Sequence, residues 1–157
     1  MTIEIPLTQG KVALIDDEDL TLVSGRKWHA MKSRQAIYAA TYDAPSQKHM
    51  KLHRLITNAP ANLCVDHING DALDNRRCNL RLCTNAENIR NQSRQKNNKS
   101  GYNGVIWDKS RNRWRAQIQA NKKNVNLGMF VDIVDAARAY DMAAKRVFGE
   151  FARLNLG

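Results

Sequence analysis

VDHINGDALDNRRCNLRLCTNAENIRNQ, residues 65–92, decides how the chain is read. Val65 and Ile68, with Leu63 before them, mark a short apolar strand, yet Asp66 and His67 sit side by side inside it. Both side chains are costly to bury without partners. Asn69-Gly70 is a strand-ending turn signal, and Asp74-Asn75 extends the loop that follows. Leu80–Cys83 reads as a second strand. Thr84, with Glu87 three residues later, forms a capping box that opens a helix. The order is strand, loop, strand, helix: a ββ hairpin closed by a helix.

Such a unit has no structural need of an acid–imidazole pair. Asp66 offers a hard oxygen ligand, and His67 offers a base that titrates near neutrality. Neighbours in a regular strand point to opposite faces, so both can serve one site only near the strand end, which Asn69-Gly70 supplies. Asn88 falls in the first turn of the helix, where it can return a second oxygen toward Asp66. Asn79, between loop and second strand, is placed to hold the imidazole by a hydrogen bond. Asn75 and Asn91 are nearby alternatives for the two Asn roles, whereas Thr84 and Glu87 are structural.

With LHRLI (52–56) before it, this stretch resembles the HNH endonucleases, the ββα-metal nuclease family of phage and intron homing enzymes; the likeness spans about residues 52–95. The resemblance implies that His67 is the general base, Asp66 and Asn88 are metal ligands, and Asn79 orients the histidine. One carboxylate and one amide suit a hydrated hard ion, magnesium or manganese. His53 and Arg54 are expected to face the site or the phosphate.

The rest of the chain bounds this reading. It has 157 residues, 43% hydrophobic, enough for a packed core, and a formal charge of +10 that calls for a polyanionic partner. Residues 1–20 carry four Asp or Glu between Asp16 and Asp19, with Glu4, against Lys11 alone. Residues 91–130 carry nine Lys or Arg against Asp108 alone. The default expectation for the acidic segment is a scaffold packed against the nuclease hairpin. No apolar run reaches the roughly 18 residues of a membrane span, and MTIEIPLTQG lacks a signal pattern. A cytoplasmic setting, in a bacterial or phage-infected cell, is therefore expected. Cys64, Cys78 and Cys83 lack C-x-x-C spacing and read as reduced thiols rather than zinc ligands. IEIPL, KVALI and AIYAATY are strand candidates, DDEDLTLVSGRKW could hold a short helix, and LHRLI is too short to assign.

Beyond residue 100, RWRAQIQA (113–120) alternates strictly, with Arg113, Arg115, Gln117 and Gln119 on one face and Trp114, Ala116, Ile118 and Ala120 on the other. NVNLGMF continues the alternation, and DIVDAARAYDMAAKRVFG switches to helical spacing, with Val134, Ala137, Tyr140, Ala144, Val147 and Phe148 as its apolar face. Y-x-G-V, the W-x-A-x-I strand, L-G-x-F and D-A-A-x-A-Y-D-x-A-A resemble the plant ethylene-response-factor (apetala-two type) DNA-binding domain over residues 101–155. The resemblance implies a sheet that enters the major groove, with Arg113, Arg115, Gln117 and Asn126 on the matching face and Lys122 beside them. Ile106-Trp107-Asp108 replaces an arginine-rich first strand, and Asn126 an exposed Trp, so base preference does not transfer.

The expected fold is α+β. A β-rich nuclease domain spans 1–92 with its ββα core at about 62–92, a basic linker 93–100, and a three-stranded antiparallel sheet packed on one helix 101–157. The expected function is a metal-dependent endonuclease of nicking or homing type acting on double-stranded DNA, with no membrane and no obligate protein partner. The competing reading is a DNA-binding regulator with a vestigial nuclease site; an RNA-binding protein is a third.

Overall fold

The computed structural model describes residues 1–33, 36–90, 98–120 and 123–156, and the chain divides into two compact units, Met1–Asn88 and Ile89–Gly157. The architecture is α+β, built from small antiparallel sheets.

In the first unit, β1 (Thr2–Pro6) and β2 (Val12–Asp16) form a hairpin with Ile5 opposite Ala13. Asp17–Asp19 make a 3-10 turn that runs into the short α1 (Leu20–Val23). β3 (His29–Ser33), β4 (Ala36–Asp43) and β5 (Lys48–Lys51) form a sheet with β4 at its centre. LHRLI is helical, within α2 (Leu52–Thr57): Leu52, His53 and Ile56 share its buried face, and Asn58 ends it in the left-handed region at φ 46°. β6 (Cys64–His67) pairs with β7 (Leu80–Cys83), and α3 (Asn85–Arg90) follows. Ile15, Val23 and Leu52 are fully buried at the centre of a core that Trp28, Val65 and Leu80 join. Each such aliphatic side chain contributes about 1.5–3 kcal/mol on burial. Cys64 and Cys83 stand opposite each other in the β6–β7 register, and all three cysteines are free thiols.

The second unit is the sheet β8 (Val105–Asp108), β9 (Arg113–Ala120) and β10 (Lys123–Phe130), with β9 central and α4 (Ile133–Phe148) packed on it. Asp132 caps α4 by accepting Val134 N at 2.6 Å. The alternation in β9 holds: Ala116 and Ile118 are buried against Ala136, Ala137, Ala143 and Ala144 of α4. Val147 differs from expectation and is 40% exposed, while Ala136 and Ala143, outside the expected apolar face, are buried. Gly104, at φ +68°, lies so close to the Tyr140 ring and Gln117 O that a Cβ would overlap both. Buried Asp141 fastens the C-terminal segment by accepting Asn155 N at 2.8 Å and Leu156 N at 2.9 Å.

Part of the expected linker, residues 93–97, lies outside the described residues, as do Asn91 and Lys122. Asn98 is ordered in a turn, its Oδ1 accepting Ser100 N and Gly101 N, each at 3.1 Å. No described helix is long and apolar enough to cross a membrane.

Candidate active site and nucleic-acid face

Asp66 and His67 end β6, opposite Arg81 and Leu80 of β7, and both are buried. The Arg81 guanidinium answers the acid: Nε and Nη2 donate to Asp66 Oδ2 at 2.9 and 2.7 Å. His67 stands among rings, its centroid 5.1 Å from that of His53 and 6.3 Å from that of Tyr38.

The Asn-rich loop builds its own frame from side-chain bonds. Asn79 Oδ1 accepts Asn69 N at 2.9 Å, and its Nδ2 donates to Asp74 O at 2.8 Å. Asn69 Nδ2 and the Arg76 guanidinium both donate to Asp74, whose carboxyl is held below its usual range mainly by the Arg76 hydrogen bond. Asn79 therefore differs from its expected position at the imidazole, since both ends of its amide brace the loop. The imidazole contact falls to Asn75, fully buried, with Oδ1 3.4 Å from His67 Nε2. Asn75 Nδ2 donates to Leu73 O at 2.9 Å, which fixes the amide with its oxygen toward the ring. An amide oxygen only accepts, so in this contact Nε2 carries the hydrogen and the lone pair belongs to Nδ1.

The acidic N-terminal segment sets this loop in place. Leu14 N donates to Leu73 O at 2.8 Å, and Asn75 N donates to Leu14 O at 2.7 Å, so the edge of β2 grips the backbone on either side of Asp74. Arg77 anchors the far end: its N reaches Asp16 Oδ2 at 2.7 Å, and its Nη2 reaches buried Asp19 at 2.6 Å. Asp16, Glu18 and Asp19 lie close enough together to resemble a metal site, but Arg77 supplies their counter-charge.

Next to the histidines a cleft of about 400 Å³ opens, walled by β5, α2 and β6, with Asn88 of α3 at its edge. Asp66 and His67 are not part of its wall. Asn88 is brought there by α3, which starts in the expected capping box: Thr84 N donates to Glu87 Oε2 at 2.8 Å, and Glu87 N to Thr84 Oγ1 at 3.3 Å. His53 is buried and lines the cleft, and its Nδ1 has no hydrogen-bond partner among the described residues. Arg54 also lines the cleft, with its guanidinium tied to the backbone: Nη1 donates to Leu63 O, and Nη2 to Ala59 O and Pro60 O, which pins the segment entering β6. Burial, followed by the charges of His67, Lys51 and Arg54, pushes the His53 imidazole down to about 3. Burial also lowers His67, against the opposing pull of the Asn75 hydrogen bond and of Asp66, Asp71 and Asp74. Both rings are therefore neutral at pH 7.

Arg81 and the bridging role of Leu14 were not foreseen. Arg81 had a visible signal, since a cation two residues beyond Asn79 falls opposite Asp66 once the hairpin is closed. Leu14 had none.

In the second unit, the face of the sheet away from α4 carries Arg113, Arg115 and Gln117 of β9 and Asn126 of β10. Asn126 pairs with Gln117 just before a bulge at Leu127, and its Oδ1 accepts Gly128 N at 3.2 Å. Arg115 Nε is buried without a hydrogen-bond partner among the described residues. Trp107 belongs to the opposite face, edge-on to Trp114 with centroids 4.9 Å apart.

Comparison with known proteins matches the chain to two families. Residues 51–90 match the HNH endonuclease family, and residues 100–150 match the AP2 domain. An uncharacterised HNH endonuclease of Acanthamoeba polyphaga mimivirus is 31% identical over 153 residues, covering 94% of this chain and 76% of that protein. Protein 3.8 of Escherichia phage T7 is 31% identical over 117 residues, covering 74% of this chain and 95% of its own length. No solved structure matches. With that identity over nearly its whole length, the chain belongs to the HNH endonuclease family, a phosphodiester hydrolase with an AP2 domain after its nuclease domain.

Proposed function

We propose that the enzyme is a metal-dependent DNA endonuclease that cuts duplex DNA at sites selected by its AP2 domain, as a nicking or homing-type enzyme. The observation that carries the chemistry is the His67–Asn75 contact. Asn75 holds the neutral imidazole with Nε2–H toward its oxygen, so Nδ1 takes the proton from the attacking water. Burial keeps His67 unprotonated at pH 7, the form a base requires.

Asp66 and Asn88 match a hard divalent ion in donor chemistry alone, a carboxylate and an amide oxygen, with magnesium the leading candidate and manganese the alternative; Arg81 holds Asp66 Oδ2, and Asn88 lines a cleft whose wall Asp66 does not join. When bound, such an ion would polarise the scissile phosphate and stabilise charge on the leaving oxygen. Arg81 fixes the Asp66 carboxylate in one orientation. His53 forms the neutral floor next to His67. Arg113, Arg115, Gln117 and Asn126 contact duplex DNA, the Arg side chains through phosphate or guanine and the amides through base edges.

Plasmid nicking with magnesium tests this reading, with wild type compared with His67→Ala and with chelator added. Cutting is expected from wild type alone and only without chelator. Equal cutting by the two proteins would sink the base assignment, and cutting in chelator would remove the metal.

A further inference from the structure

The cleft beside the histidines has a composition that nuclease chemistry alone does not require. Lys48, His49 and Lys51 of β5 and His53 and Arg54 of α2 line it, and among the described residues no carboxylate does. Lys51 is held in place: its Nζ lies 4.1 Å from the centroid of the Tyr38 ring, whose face attracts a cation. Tyr38 in turn packs edge-on against His53, with centroids 5.4 Å apart. Cation, phenol and imidazole therefore form one connected wall. Burial, and then the neighbouring Arg54 charge, lowers the Lys51 ammonium, which marks it as a cation short of negative charge. His53, 5% exposed, lines the same cavity, and its Nδ1 is shut off from solvent with no hydrogen-bond partner among the described residues.

We infer that this cleft is a phosphodiester-binding subsite that seats the cut strand next to the scissile bond, with Lys51 and Lys48 as its cationic contacts and the His53 ring in its wall. The inference rests on the nuclease reading for its purpose and on the cleft's own geometry for its chemistry. A phosphodiester oxygen is a ligand the two ammonium groups can share, since it accepts from each. The volume of about 400 Å³ suits a nucleotide-sized segment rather than a duplex. The Tyr38 ring restrains Lys51 before the strand arrives, so less side-chain entropy is lost on binding.

All four histidines of the chain, His29, His49, His53 and His67, belong to the first unit, so they report on it without interference from the AP2 domain. The full chain, labelled with ¹³C at histidine, is titrated with the dinucleotide pTpT and, separately, with inorganic phosphate. The His53 and His49 ring resonances are expected to shift with pTpT in wild type and in His67→Ala. Lys51→Gln should weaken the titration about 10-fold, Lys51→Arg should restore most of it, and Lys11→Gln should leave it unchanged. A shift with phosphate as strong as that with pTpT would assign a free-anion site and overturn the strand subsite. Silent His53 and His49 resonances would overturn the proposal even if the enzyme nicks plasmid. Their shift in a protein that cuts nothing would keep the subsite and remove the nuclease reading. A second arm uses cleavage of duplexes carrying one neutral methylphosphonate near the cut. Lys51→Gln should slow cutting of natural DNA about 10-fold and have no effect on the duplex whose contacted phosphate is already neutral. Equal slowing on every duplex would exclude a direct Lys51–phosphate contact.

Discussion

Asn75 and His67 are joined across eight residues of loop: the amide oxygen lies 3.4 Å from Nε2, and the amide nitrogen is tied back to Leu73 O at 2.9 Å. The second bond gives the first its meaning, because it denies the amide the flipped orientation that would present N–H to the ring.

Asn75→Ala should therefore lower the cleavage rate roughly 10- to 100-fold, a part of the general-base contribution of about 10²–10⁴ that His67→Ala removes entirely. DNA affinity should be unaffected, since Asn75 is fully buried. Asn79→Ala should behave differently. It removes bonds to Asn69 N and Asp74 O and should first appear as a lower melting temperature. Single-turnover cleavage alongside thermal unfolding separates the two variants, and an unchanged rate in Asn75→Ala would exclude its hold on the tautomer.

Arg77 links the ends of the nuclease unit, joining Asp16, Glu18 and Asp19 to the loop before β7. Asp19 is only 2% exposed, so Arg77→Ala leaves a buried carboxylate without its bidentate cation. A loss of about 1–3 kcal/mol in unfolding free energy is expected, measured by urea denaturation. Cleavage should fall with it, because the same loop carries Asn75. Full activity at reduced stability would show that the loop holds Asn75 without this anchor.

These two residues also show what could be read from the sequence. The hairpin, the capping box at Thr84 and the alternating strand at Arg113 follow local rules of period and turn chemistry, and each stands where those rules put it. The choice between Asn79 and Asn75 does not follow such rules. It depends on β2, some sixty residues earlier, whose Leu14 bonds Leu73 and Asn75 and sets the rotation of the loop. Arg54 shows the same limit: its place beside the candidate site could be read, but its bonds to three carbonyls of the following turn could not. Val147 reflects the packing of small residues, which periodicity cannot order by depth.

His53 should make the fold sensitive to acid. Unfolded, it takes a proton near pH 6.5; folded, burial and the charges of His67, Lys51 and Arg54 delay that to about 3. Between these values the unfolded chain binds more protons, so stability present above pH 6.5 is lost as the pH falls toward 3. The slope contributed by one such group is at most about 1.4 kcal/mol per pH unit. Urea midpoints at pH 7, 6, 5 and 4 should fall more steeply for wild type than for His53→Gln. Parallel profiles would mean that His53 is protonated within the fold and that its ring is not desolvated as the packing indicates.

Arg115 provides the test of which sheet face meets DNA. It sits in β9, the central strand, between Ile106 of β8 and Met129 of β10, with its Nε out of solvent and unpartnered among the described residues. The two terminal nitrogens are then the groups left to reach a phosphate or a guanine edge, and the surrounding strands restrict the side chain's freedom. Arg115→Ala should weaken binding of duplex DNA and, if the contact is to phosphate, reduce the slope of log K against log salt by about 1. If the contact is to guanine, the cost should be about 1–3 kcal/mol and should disappear on DNA with that base changed. Anisotropy titrations at several salt concentrations, on duplex DNA and on RNA of the same sequence, distinguish these outcomes. An unchanged affinity would move the binding surface off this face. Tighter binding to RNA would mean that the groove width of B-form DNA is not what the strands fit.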